Sequence, residues 1–173
     1  MSDPMNEQPP VVEQAPQDAE LQKQLQEFHN GANWFYWIAG LSVVNSLLIF
    51  FGTGWAFIFG LGITQFVDGA AGAIGEEMGG GTGAWVVRAI GLGFSIAVAA
   101  VFALIGWLAN KGYGAAFIFG MVVYVLDALV FIAAAFLGAP DWLGLAFHAL
   151  ALFFMFRGYS ALRQLKTLQP AAA

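Results

Sequence analysis

The sequence predicts an all-α integral membrane protein, and three observations predict it. Apolar residues make up 60% of the 173 positions and charged residues only 10%, so the chain holds far more apolar surface than one soluble core can bury. The mean hydropathy is +0.73. From Trp34 onward the apolar residues also fall into runs long enough to cross a hydrocarbon layer of about 30 Å, which takes about 20 helical residues. The absence of cysteine excludes a disulfide framework, thiolate catalysis and cysteine-ligated metal clusters.

The first 30 residues differ from the rest. They carry four prolines, six glutamines, six acids and one lysine, and so account for the whole net charge of −5. Such a segment buries too little surface to offset the entropy of ordering, which predicts disorder over residues 1 to about 17. Its acidic start and lack of a short apolar core do not read as a signal peptide. Leu21, Leu25 and Phe28 then recur at i, i+4 and i+7, predicting a short amphipathic helix along the membrane surface with Asp18 as its N-cap. The predicted domains are this tail over 1–30, a helical bundle over 31–163 and a short tail over 164–173.

Five membrane-crossing helices are expected, over about 34–51, 54–75, 85–109, 114–138 and 141–160. Trp34, Trp37, Trp55, Trp85, Trp107, Tyr113, Trp142 and Tyr159 fall near their ends, where amphipathic rings prefer the headgroup layer. Gly75 to Gly83 reads as a polar connection, and Gly138-Ala139-Pro140-Asp141 as a tight turn with Pro near the first position of the last helix. The segment Gly52 to Gly60, GTGWAFIFG, matches Gly112 to Gly120, GYGAAFIFG, at seven of nine positions, which suggests a tandem two-helix repeat with one helix appended. The alternative is four spans, with residues 52–84 forming an external loop and an interfacial helix. Basic residues then divide five against one across the membrane, compared with four against two for five spans.

Ionisable side chains at membrane depth cost roughly 2.5–3.5 kcal/mol on insertion scales and mark function by default. Asp68, Asp127 and His148 are the candidates, each on a stripe of small or polar residues. Thr64, Gln65, Ala71, Gly72 and Gly75 accompany Asp68; Ala116, Gly120, Tyr124, Ala134 and Gly138, together with Val123, Val130 and Phe131, accompany Asp127; Asp141, Gly144, Ala151 and Met155, with Leu145 and Leu152 at the margin, accompany His148. Small residues let helices approach closely in lipid, so all three polar groups are expected to point inward. Asp127 and His148 lie about 18 and 13 Å along adjacent helices from their shared turn, which brings them within a turn of each other. Asp68 sits one residue further from its repeat glycine than Asp127 does, which turns it about 100° away. Both a buried and an interfacial position remain open for it.

Asn45, Ser42 and Ser46 are expected to hydrogen-bond between helices, and Arg88 and Arg157 to anchor helix ends. The two histidines offer no metal-ligand spacing, and no cofactor motif or catalytic signature occurs in the sequence. The buried polar cluster is therefore read as Asp127, His148, Asp68, Tyr124, Thr64 and Gln65. The leading functional expectation is a non-enzymatic structural or accessory membrane component; the alternative is a small proton- or cation-coupled channel or transporter. Expected partners are the lipid bilayer and a second copy or another membrane protein, and not nucleic acid.

The segments ANWFYWIAGLSVVNSLLIFFG (32–52), GAAFIFGMVVYVLDALVF (114–131) and DWLGLAFHALALFFMFRGY (141–159) resemble small multi-pass bacterial membrane proteins of unassigned activity. The resemblance covers about residues 32–165 and implies a bacterial membrane location, without an activity.

Overall fold

A computed structural model describes residues 11–53 and 60–168, with only the backbone described for residues 11–17. The described residues form five helices: α1 (Val11–Phe50), α2 (Gly62–Glu77), α3 (Gly81–Asn110), α4 (Gly114–Phe136) and α5 (Trp142–Leu168). All except α2 are long and apolar enough to cross a membrane. The protein is an all-α membrane protein.

Side-chain contacts fix the direction of each helix. Gly106 of α3 meets Phe35 of α1, while Trp85 of α3 meets Phe50, so α1 and α3 run antiparallel. Phe117 of α4 packs on Phe28 and Tyr159, and Phe131 lies beside Gly144 and His148. Hence α4 runs parallel to α1, and α5 returns antiparallel to both. One end of the bundle, the tail end, gathers the described parts of both terminal segments and the α3–α4 turn at Lys111. The opposite end, the loop end, holds Thr53, Gly79 and the turn at Pro140.

The second helix departs from these four. It starts deep inside the bundle, where Gly62 lies against Phe131 and Asp127, and ends at Gly75 and Glu76 beside Ala84 and Arg88. Its 16 residues cover about 24 Å. The chain therefore leaves α1 at the loop end and returns to mid-depth by Leu61, and α2 carries it back out to the same end. This is a re-entrant half-helix. The helix lengths match the four-span alternative, except that α2 packs among α1, α3 and α4 instead of lying at the interface. Within the described part of the expected span over 54–75, Gly60, at φ 138°, and Leu61, extended at φ −87° and ψ 129°, are non-helical and the helix starts at Gly62. Residues 54–59 lie outside the described residues.

Three further boundaries differ from expectation. The tail helix and first span form one continuous α1, and Asp18 lies inside it instead of capping it, since no break separates the two segments. Within the expected amphipathic stripe only Phe28 is buried, while Leu21 and Leu25 are exposed; the packed face is Gln24, Phe28, Ala32 and Phe35. The repeated nonapeptides also precede unlike elements: the helix after Gly112 is the 23-residue α4, whereas the described helix after Gly52 is the 16-residue α2. The repeat does not extend into equivalent helices.

The core next to the tail end is aromatic. Phe35, Phe102 and Phe117 are fully buried, with ring centroids 5.9 Å apart for Phe35–Phe117 and 6.5 Å for Phe35–Phe102. Gly120 makes room for this cluster, because a Cβ there would meet Phe35 at 2.4 Å and Ile105 at 2.7 Å.

Candidate functional site at the half-helix

An α-helix begins with backbone N–H groups that have no partner within the helix, and burial at membrane depth removes water as a substitute. Leu61, the N-cap residue of α2, supplies no side-chain hydrogen bond. Asp127 of α4 does so instead: Gly62 N–H donates to Oδ2 at 2.7 Å and Ile63 N–H donates to Oδ1 at 2.9 Å. A carboxylate also suits the positive end of the helix dipole. The preceding Leu61 N–H donates to Ser42 Oγ at 2.9 Å, and Thr64 Oγ donates to the Leu61 carbonyl at 2.8 Å. The N–H groups of Leu61, Gly62 and Ile63 are thereby paired.

His148 completes the centre. Its Nε2 lies 2.9 Å from Asp127 Oδ2 and its Nδ1 lies 2.8 Å from the Gly144 carbonyl. A carbonyl only accepts, so Nδ1 carries a hydrogen. The bond to Asp127 then needs one further proton, held either by the imidazole or by the carboxyl, and the pair is electrically neutral in both arrangements. The imidazole is stacked on Tyr124, with centroids 4.2 Å apart and planes inclined by 12°, and Phe131 closes another side at 4.8 Å. Asp127 and His148 are 6% and 1% exposed.

A second acidic group lies about 9 Å further along α2 towards the loop end. Asp68 is 4% exposed, so it is buried rather than interfacial. Its Oδ2 accepts hydrogen bonds from Ser46 of α1 and from Ser95 of α3, the latter at 3.0 Å. No Lys, Arg or His lies within ion-pair distance of Asp68 among the described residues. Beyond it, a cavity of about 330 Å³ opens at the loop end between Gly75, Glu76, Ala84, Trp85 and Arg88. Arg88 pairs with Glu76 at 3.9 Å there.

The six residues singled out from sequence thus form two groups on one column. Asp127, His148, Tyr124 and Thr64 surround the start of α2, while Asp68 lies two turns on; Gln65 lies between them on α2, with its amide nitrogen buried and unpartnered. The sequence reading missed Ser42 as a partner of the α2 entry and Ser46 and Ser95 as the donors to Asp68. Asn45, expected to hydrogen-bond across to a neighbouring helix, is instead fully buried with both amide atoms unpartnered, and the Tyr124 hydroxyl also lacks a partner. The signal available for α2 was the pair Gly60 and Gly62, which interrupts an otherwise continuous apolar run. Among the described residues no cluster of three or more His, Asp or Glu suits a metal ion.

No family model, curated protein or solved structure matches this chain.

Proposed function

We propose that this protein is a small non-enzymatic membrane protein that passes a proton or small monovalent cation along the polar column beside α2. The observation carrying this reading is the half-helix itself, whose first N–H groups meet the Asp127–His148 pair at mid-depth. Broken helices with their ends near the midplane are a recurrent way to build ion sites in transporters, and irregular backbone at such depth is tolerated where protein buries it or a wet cavity adjoins it. The column contains more polarity than packing requires: Asn45, Gln65 and the Tyr124 hydroxyl have unpartnered buried atoms, each costing about 1–3 kcal/mol. Asp68, Ser46 and Ser95 continue the column towards the loop end, and Phe35, Phe102 and Phe117 close it towards the tail end.

A structural role is the second reading, favoured by one observation: both oxygens of Asp127 are already engaged by backbone and imidazole. Proteoliposomes containing an internal pH dye separate the two. Under a potassium diffusion potential, the wild type should acidify the lumen faster than protein-free vesicles, and Asp68→Asn and Asp127→Asn should abolish the difference. Wild-type vesicles that stay level with protein-free ones for H⁺, Na⁺ and K⁺ gradients would leave only the structural reading.

The charge distribution supports placing the tail end in the cytoplasm of a bacterial inner membrane. Lys23, Lys111, Arg157, Arg163 and Lys166 lie on that side, and Arg88 on the other. Gly40 and Gly93 have open space beside them, which suits close approach of a second copy.

A further inference from the structure

Outside the polar column, α1 and α5 cross where Gly31 and Gly158 bring their backbones together: a Cβ built on Gly31 would lie 2.5 Å from Gly158 Cα. Beside this crossing, Glu27, Asn30, Trp34, Trp37, Phe154 and Arg157 line a cavity of about 290 Å³. Its level relative to the bilayer follows from the sequence. Trp34 opens the apolar run of α1 and Arg157 closes that of α5, which places the cavity in the headgroup layer at the tail end.

The cavity combines a rigid apolar wall with two opposite charges. Trp34 stacks on Phe154 with centroids 5.1 Å apart and planes inclined by 8°. Glu27 and Arg157 pair across the two helices through Oε1 and Nη2. A guanidinium has five N–H donors and a carboxylate has two oxygens, so this single contact leaves both groups with capacity for a ligand. The Asn30 side chain adds an amide donor at the same wall.

We infer that this cavity binds the headgroup of a phospholipid carrying both a phosphate and a primary ammonium, the phosphoethanolamine class. A zwitterion matches an adjacent cation and anion: its phosphate accepts from Arg157 and Asn30, and its ammonium donates to Glu27. The two tryptophans supply apolar walls for the carbons between the charges. Chemically related headgroups fit less well. The quaternary ammonium of phosphocholine has no N–H to donate, and the phosphoglycerol headgroup adds negative charge next to Glu27 without a compensating cation. The inference is independent of ion movement along α2.

The test is lipid binding to the purified full chain in detergent, measured by native mass spectrometry with short-chain phosphatidylethanolamine, phosphatidylcholine and phosphatidylglycerol. The ethanolamine lipid should bind about tenfold more tightly than the other two, equivalent to one charge-assisted hydrogen bond. Glu27→Gln should reduce the ethanolamine lipid to the level of the choline lipid, and Arg157→Gln should weaken all three. Asn30→Leu, which leaves the ion pair and the helix crossing intact, should lower ethanolamine-lipid affinity severalfold in a protein of unchanged helicity. Equal affinity of the wild type for the three lipids, or an ethanolamine preference that survives Glu27→Gln, would overturn the assignment.

Discussion

Asp127 Oδ2 accepts the Gly62 N–H at 2.7 Å, so a carboxylate on α4 caps a helix that begins 65 positions earlier in the chain. The same oxygen lies 2.9 Å from His148 Nε2, which ties α2, α4 and α5 together at one point. The depth of the half-helix and the position of the histidine are therefore set by a single side chain.

Removing that side chain should cost more than altering it. Asp127→Ala leaves His148 Nε2 and the Gly62 and Ile63 N–H groups unpaired in a dry interior, for a loss of about 3–5 kcal/mol. Asp127→Asn keeps one accepting oxygen and gains an amide N–H for Nε2 but leaves one of the two backbone N–H groups without an acceptor, so it should lose about 1–3 kcal/mol. Thermal unfolding in detergent should rank wild type above the Asn variant, and that variant well above Ala.

The Tyr124 hydroxyl separates stability from transport. It is buried without a partner, so Tyr124→Phe should leave stability unchanged or raise it by about 1 kcal/mol. If the hydroxyl belongs to the conducting column, the same variant slows vesicle acidification. A variant that both unfolds earlier and conducts normally would contradict both statements.

Glycine positions divide by what surrounds them. A Cβ at Gly62 would lie 2.5 Å from the Phe131 ring and 3.3 Å from the Asp127 carbonyl oxygen, whereas Gly69 and Gly72 on the same helix have nothing within 4 Å. Gly62→Ala should therefore destabilise by about 1–3 kcal/mol. Gly69→Ala and Gly72→Ala should each stabilise by up to about 1 kcal/mol through helix propensity. Detergent melting curves of the three single variants check the contrast.

Asp68 depends on hydroxyl donors from two other helices. Ser46→Ala and Ser95→Ala each remove one hydrogen bond to the Asp68 carboxyl, worth about 1 kcal/mol, and because both donors meet the same oxygen the effects of the two should not add. A double-mutant cycle read by thermal unfolding measures that coupling.

Much of this arrangement is legible in the residues. The small-residue stripes through Asp68, Asp127 and His148 are the faces along which Thr64, Ala71, Gly75, Ala116, Gly120, Tyr124, Gly144, Ala151 and Met155 are buried. Counting helical rise from the turn at Ala139 places Asp127 and His148 at matching depth, and they meet. Local periodicity carries this information because each stripe belongs to one helix. The half-helix was not legible in the same way: hydropathy over 54–75 cannot distinguish a crossing segment from one that enters and returns, since both are surrounded by apolar groups. The cap on α2 is equally hidden, because its donor and acceptor lie on helices far apart in sequence. Asp68 faces Ser46 and Ser95 for the same reason.

The return of α2 to the loop end is the relation on which the polar column depends, and the cysteine-free chain allows it to be measured directly. Single cysteines at Thr53, Gly79 and Tyr113 can be labelled in sealed, uniformly oriented vesicles with a membrane-impermeant maleimide. The half-helix arrangement predicts that Thr53 and Gly79 react from the same side and Tyr113 from the opposite side. Reaction of Thr53 and Gly79 from opposite sides would make α2 part of a crossing segment and contradict the arrangement.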